Sequence, residues 1–416
     1  MQASTTISAA GAVNDFQEAQ AFMPTTVFLG AARTPIGKMG GGLSTLPAPE
    51  LGGLAISAAL ERAEVEPEQV DHVIVGQVLQ AGQGQIPSRQ AQIKAGIPKE
   101  VSSETINKVC ASGLRASVLL DQAIRTGEVQ VGVGGGMESM SKAPYLMPQG
   151  RFGYRMGDAK ILDAMVHDGL TNPFSGKQMF VEATEVGEEL EMTRADLDRW
   201  ALRSHELALK AIDDGRMSEE IVAVTIPNKK KPDEPTVVEI DEGPRRGSSL
   251  EALAKLPGLV GKEGSHTAGN SPGVNDGAGA LVLASDEWAA ANKKEPLGEI
   301  VAHAQSANDF AYLATTPATA ARKALEKAGL QPGDIDLWEI NEAFASVTLN
   351  SIRMLGIDED RVNVNGGAVA LGHPIGASGA RIIGSLLLEL RRRGGGLGCA
   401  AICSGGGQGD ALILRV

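Results

Sequence analysis

Apolar and polar positions along the chain alternate between two periods. Thr26 to Ala31 is a short β-rich run closed by the turn Arg33-Thr34-Pro35-Ile36-Gly37, whereas Leu51 to Arg62 repeats its apolar positions at helical spacing. Val70-Asp71-His72-Val73-Ile74-Val75, led in by Pro67, reads again as a buried strand. Leu114 to Ile124 is apolar on most faces and stops at Gly127, a natural residue just past a helix C-terminus, so a buried helix is expected to begin at Cys110. Strand and helix go on alternating, which predicts an α/β sheet with helices on both faces.

The pattern repeats itself. Ala59-Leu60-Glu61-Arg62-Ala63, with Pro67 and Asp71 after it, returns as Ala324-Leu325-Glu326-Lys327-Ala328 with Pro332 and Asp336 at identical internal spacing. Ala111-Ser112-Gly113-Leu114-Arg115 has its counterpart in Ala377-Ser378-Gly379-Ala380-Arg381, and Gly134-Gly135-Gly136 is matched with Gly405-Gly406-Gly407. A duplicated α/β unit is expected, its halves packed about a pseudo-twofold axis. The expected division is a loosely ordered extension over 1–24, an amino-terminal half over 25–140 completed by about 272–295, and a carboxy-terminal half over 296–416. Residues 141–271 have no counterpart and form an insertion with a helical stretch from Arg194 to Ile212. Its charge run, Asn228 to Pro235, reads as a solvated loop.

Composition narrows the function classes. Net charge is -13 and aromatics are 3%, so neither the basic field nor the stacking surface of a nucleic-acid binder is present. The longest uncharged apolar runs, such as Ile382 to Leu388, are too short for a membrane span. The first basic residue is Arg33, which does not fit a secretory signal or a transit peptide. Three cysteines, Cys110, Cys399 and Cys403, lack zinc or disulfide spacing. Reduced thiols and a cytoplasmic location are the expectation. The 52 glycines exceed ordinary usage of about 7% and cluster where backbone must approach backbone or ligand.

Within that frame a few residues carry candidate chemistry. A thiol at the start of the Cys110 helix would meet unpaired N–H groups and the positive end of the dipole, lowering its pKa; an inert core cysteine is the competing reading. His373, in Leu371-Gly372-His373-Pro374-Ile375, stands just before the mirrored helix, flanked by a glycine and a proline that restrict how it is aimed. A pseudo-twofold axis would let Cys110 and His373 face each other, the constellation of an activated thiol nucleophile. Cys403 adjoins a glycine-rich loop whose N–H groups suit an oxyanion site. Cys399, in a strand-like run, reads as core.

Together Asn107-Lys108-Val109-Cys110-Ala111-Ser112-Gly113, Gly135-Gly136-Met137-Glu138-Ser139-Met140, Asn341-Glu342-Ala343-Phe344, Gly372-His373-Pro374 and Cys403-Ser404-Gly405-Gly406-Gly407 resemble the thiolases, most of all their acetyl-CoA C-acetyltransferase branch, from about Thr26 to Val416. The resemblance implies a duplicated, five-layered α/β/α/β/α fold with an inserted loop domain. It implies reversible Claisen condensation of two acetyl-CoA to acetoacetyl-CoA and CoA, or thiolysis of a 3-ketoacyl-CoA. Cys110 would be the acylated nucleophile, His373 its base, and Cys403 the acid/base at the α-carbon. Asn341 would hold a water that, with His373, stabilises the enolate, and the N–H groups of Cys110 and Gly405 would form the second oxyanion hole. Coenzyme A thioesters would be substrates, with no permanently bound cofactor or metal, and the assembly a homodimer or homotetramer.

In the insertion, Arg245-Arg246-Gly247 and Thr267-Ala268-Gly269-Asn270 resemble the family's coenzyme A-binding segments. Arg245 is the candidate for the nucleotide end, Ala268 and Ser271 for the pantetheine path, and Phe344 and Met179 for the acyl and pantetheine walls. The chain departs from the family where Pro272 and Ala252 replace serines and Gln178 a histidine, which bears on acyl-chain preference. A β-ketoacyl synthase-like enzyme using an acyl carrier protein shares the fold and nucleophile, and Cys403 argues against it. A non-catalytic CoA- or lipid-binding relative would lack Cys110 or His373. No glycine cluster forms the GxGxxG of a dinucleotide-binding oxidoreductase.

Overall fold

The computed structural model describes residues 23–228, 231 and 233–416. Nearly all of the extension expected over 1–24, and Lys229, Lys230 and Pro232 of the charged loop, lie outside the described residues. The main strands are β1 (Thr26–Arg33), β2 (His72–Gly76), β3 (Ser102–Ile106), β4 (Val131–Ser139), β5 (Asn275–Ser285), β6 (Gly298–Ala307), β7 (Leu337–Ile340), β8 (Leu397–Ser404) and β9 (Gln408–Arg415). With the two-residue strand Gly37–Lys38 they form one ten-stranded mixed sheet, ordered β7-β8-β9-β6-β1-β5-β4-β2-β3.

That order is the same motif written twice. One arm runs β3-β2-β4-β5-β1, with β2 parallel to β3 and β4. The other runs β7-β8-β9-β6, with β7 parallel to β8, and a bridge from Trp338 to Val362 stands where β3 stands in the first. The arms join where β1 and β6 pair antiparallel at Val27 with Glu299 and Phe28 with Gly298. Although β5 follows the insertion in sequence, it lies between β1 and β4.

Strand periodicity sorts side chains into layers, because successive residues point to opposite faces. On β9, Ala411 and Ile413 join one cluster while Leu412 and Leu414 join another. On β8, Cys399 and Ala401 go with the first, Ala400 and Ile402 with the second. On β5, Ala278, Ala280, Val282 and Ala284 face a third cluster, while Leu281 and Leu283 share the second. That second cluster is filled by helices α3 (Ser112–Arg125) and α8 (Ser378–Arg392), lying between the arms. Outside them, α1 (Ala48–Ala63) and α2 (Pro87–Lys94) cover the first arm, and α6 (Thr316–Ala328) and α7 (Ala345–Leu355) the other. The result is the α/β/α/β/α layering.

Internal symmetry is visible in equivalent capping. α1 ends at Glu64 (φ 51°) and α6 at Gly329 (φ 68°), both left-handed. Asp71 Oδ2 then accepts from the N–H of Val131 at the start of β4, as Asp336 Oδ2 does from that of Leu397 at the start of β8. This pairing corrects the glycine match: Gly134–Gly136 lie inside β4, whereas Gly405–Gly407 follow β8, so Gly405 stands where the first half has Ser139. The insertion carries α4 (Met179–Glu189) and α5 (Arg194–Asp213), the latter opened by a Thr193/Asp196 capping box. It is anchored to β1 by Arg33, buried between Glu220 and Asp241 at 2.7 Å each.

Candidate active site

The two halves meet at the starts of α3 and α8. β3 ends at Ile106, and Asn107 to Ala111 form a tight turn before α3. Helix α3 therefore starts at Ser112, two residues later than expected, with Cys110 in the turn. The turn spends its own donors: Lys108 N–H on Ser112 Oγ (2.8 Å), Ala111 N–H on Lys108 O (3.1 Å) and Ser112 N–H on Val109 O (3.1 Å).

Cys110 is 2% exposed. Burial pushes its thiol up to about 12, and the charge of Glu138 adds to that, against the N–H groups of Gly405 and of Cys110 itself. The expected lowering is thus reversed: leading N–H groups of the turn are already bonded, and water is excluded from the sulfur. At neutral pH the resting group is a thiol.

His373 is 6% exposed and precedes α8. Gly372 has φ 113°, and a Cβ there would stand 2.6 Å from the Asn275 amide, whose Oδ1 accepts the His373 N–H (2.9 Å). His373 Nδ1 is 2.6 Å from Ser378 Oγ, and that hydroxyl donates to Pro374 O (3.0 Å). With its single hydrogen committed to a carbonyl, Ser378 accepts from Nδ1–H, which leaves Nε2 as the basic nitrogen. Nε2 has no hydrogen-bond partner among the described residues. Burial, then the charge of Arg381, pulls the imidazole down to about 3, so it is neutral.

Cys110 and His373 line one cavity of about 220 Å³. Met179, Ser271 and Phe344 line it too, as do Gln178 and Pro272, the positions that depart from the family pattern. Ser271 Oγ is buried without a partner among the described residues. Arg245 and Ala268 are exposed and are not among the lining residues; the Arg245 N–H donates to His205 Nδ1 (3.3 Å).

Cys403, near the end of β8, is fully buried against Phe344, Leu313 and Val347. Burial raises its thiol well above the ordinary value and the nearby Cys110 sulfur raises it further. Cys399 belongs to the outer core of the second arm, with its thiol also raised by burial. The Gly405 N–H acts to lower the Cys110 thiol against its burial, and Gly405 lines an adjoining cavity of about 400 Å³ with Val109. Asn341 is fully buried, and neither end of its amide has a partner among the described residues. Its neighbour Glu342 is saturated by Trp200 Nε1 (2.9 Å), Ser204 Oγ (2.8 Å), Asn363 Nδ2 (3.0 Å) and Val369 N (2.9 Å). No group of three or more His, Cys, Asp or Glu side chains among the described residues is arranged to hold a metal ion.

Two residues went unnoticed in the sequence. Ser378 sets the His373 tautomer; its signal was a serine five residues after a histidine at a helix start. Glu138 accepts from Val78 (3.0 Å), Leu79 (3.1 Å) and Gly376 (3.0 Å), binding the loops of both halves. Its signal was one charge in an otherwise uncharged strand.

Comparison with known proteins bears on this arrangement. Residues 26–287 match the thiolase N-terminal domain and residues 294–416 the thiolase C-terminal domain. The chain is 48% identical to an acetyl-CoA acetyltransferase of Pseudomonas aeruginosa over 94% of its length and 99% of that protein. It is 47% identical to one of Cupriavidus necator, covering 94% and 100%. Solved acetyl-CoA acetyltransferases of Syntrophomonas wolfei (TM-score 0.91, 40% identity) and Bacillus anthracis (TM-score 0.92, 41% identity) superpose over 94% of this chain and 99% of theirs.

Proposed function

The chain belongs to the thiolase family, and on that footing we propose that it condenses two acetyl-CoA to acetoacetyl-CoA and CoA, reversibly, through an acetyl group on Cys110. The observation that carries the residue assignment is the placement of Cys110 and His373, from opposite halves, on one cavity with His373 Nε2 unpartnered among the described residues. A relative that only bound CoA would have no use for a buried thiol beside a free base.

In the proposed first half-reaction, Nε2 of His373 takes the Cys110 proton as the sulfur attacks the thioester carbonyl. Cys403 protonates the departing CoA sulfur, which leaves acetyl-Cys110, a Cys403 thiolate and a His373 imidazolium. In the second, that thiolate removes an α-proton from acetyl-CoA; the high proton affinity that burial gives Cys403 suits a weakly acidic C–H. His373 and a water on Asn341 stabilise the enolate, which attacks acetyl-Cys110. The oxyanion that forms is met by the N–H groups of Cys110 and Gly405, and the expelled sulfur recovers its proton from His373.

This chemistry needs no permanently bound cofactor. Arg245 is assigned to the nucleotide end of coenzyme A, Ala268 and Ser271 to the pantetheine path, and Met179 and Phe344 to the walls. The enzyme is proposed to act in the cytoplasm as a homodimer or homotetramer, which light scattering would read. Peptide mass mapping after acetyl-CoA alone tests the core assignment. An adduct on Cys399 or Cys403, or one that survives Cys110→Ala, would sink it. Initial rates in both directions with acyl chains of graded length then define substrate and direction.

A further inference from the structure

The turn that carries Cys110 is strained. Val109 has φ 44°, a left-handed conformation that is an outlier for a β-branched residue and costs on the order of 1–3 kcal/mol. Part of what holds it is local: Val109 N–H donates to Asn107 Oδ1 (2.9 Å), and Ser112 Oγ donates to Val109 O (2.7 Å). Those bonds shape the turn but do not place it against the other half.

Placement comes from Lys108. Its carbonyl accepts from Ser404 Oγ, and its ammonium donates to Gln305 Oε1 and Asp410 Oδ1. Gln305 and Asp410 face each other across β6 and β9, so the lysine spans a strand pair of the carboxy-terminal half. The side chains of Lys108 and Asp410 are 14% and 1% exposed. Removing such a pair from water costs several kcal/mol per ion, so apolar partners would stabilise the fold at least as well. What they would lack is a directed tie between halves at the residue two before the thiol.

We propose that Lys108 and Asp410 are positioning residues, an ionic clamp that pins the strained Val109–Cys110 turn onto the half carrying Cys403 and Gly405, and thereby fixes the Cys110 sulfur against that half. The inference rests on Cys110 being the acylated nucleophile. Misplacing a reacting group by about 1 Å can slow a step on the order of 100-fold with little change in binding, so the clamp acts on the rate of acylation.

The test separates positioning from stability. Lys108→Met strands a buried carboxylate and should lower both the thermal midpoint and the acylation rate. The double variant Lys108→Met/Asp410→Asn removes both charges and should recover the midpoint. It should still acylate Cys110 from acetyl-CoA about 10- to 100-fold more slowly in single turnover, with KM within about twofold of the wild type. A double variant that acylates at the wild-type rate overturns the clamp. Asp410→Asn alone keeps an acceptor for the ammonium and guards against misfolding of the others; an unchanged rate there overturns it equally. A wild-type protein that carries no acyl group on Cys110 would overturn the assignment of the nucleophile itself, a separate result from an acylated wild type with unaffected variants.

Discussion

Gly113 and Gly379 each leave their side-chain space to the helix start of the other half. A Cβ on Gly379 would stand 2.2 Å from the Leu114 backbone nitrogen, and one on Gly113 2.8 Å from that of Ala380. Leu114 and Ala380 are equivalent positions of the duplication, so the contact is reciprocal about the pseudo-twofold axis. Only glycines let α3 and α8 start this close, and the closeness brings the Cys110 turn and the His373 turn to one cavity.

Gly379→Ala is therefore expected to cost roughly 2–3 kcal/mol, as for overpacking against backbone, and to slow acylation of Cys110. Gly333→Ala, with open space at its Cβ, should stay within about 0.5 kcal/mol. Urea unfolding of the two variants compares them directly; equal stabilities would refute the argument.

The two site cysteines are expected to separate by half-reaction. Cys403→Ala should still take up an acetyl group on Cys110, because a thiolate leaves readily and can take its proton from the His373 imidazolium, while condensation and exchange of acetyl methyl protons with deuterated water fall by about 10²–10⁴. Complete loss of acylation, or unchanged exchange, would contradict the division of labour.

Ser378→Ala removes the acceptor that fixes the His373 tautomer. A net loss of about 1 kcal/mol, or roughly fivefold in kcat, is expected, with KM for acetyl-CoA little changed. Ser378→Thr, which keeps the hydroxyl, should recover most of the rate. A KM effect without a kcat effect would point to a binding role instead.

His266 offers a clean test of pH linkage. It lies buried between Ser265 Oγ (3.1 Å) and Ser346 Oγ (2.8 Å), and burial pulls it from 6.5 down to about 4. The folded state holds it neutral while the unfolded chain protonates it below pH 6.5. Its share of the stability is full above that pH and is lost as pH falls toward 4. Glu138 and Glu339, raised by burial to about 7 and 8, act in the opposite sense, so the readout is a difference. The stability gap between wild type and His266→Gln should narrow on acidification from pH 7.5 to 4.5. A constant gap would rule the linkage out.

Arg245→Ala should weaken coenzyme A binding by a charge-assisted contact's worth, about 1.5–3 kcal/mol. Arg246→Ala should not, because Arg246 is already engaged with Asp213. Calorimetric titration of both with CoA decides it, and equal affinities would remove Arg245 from the nucleotide end.

Much of this protein was legible along the chain because its determinants are local. Strand and helix periods, and the paired segments ending in Asp71 and Asp336, record layers and duplication directly, since each side chain's face follows from its position in a regular element. The residues bearing candidate chemistry were legible too, as unusual side chains set among small residues. What the chain could not reveal depends on contacts between distant segments. Whether Cys110 is a thiol or a thiolate turned on burial and on donors already spent within its turn, not on nearness to a helix start. The His373 tautomer was decided by the Ser378 hydroxyl and the Pro374 carbonyl. The glycine triplets, alike in letters, fell on a strand and on a turn because register is set by the neighbouring strand. Desolvation, register and hydrogen-bond direction are properties of the packed interior, and only the tertiary structure decides them.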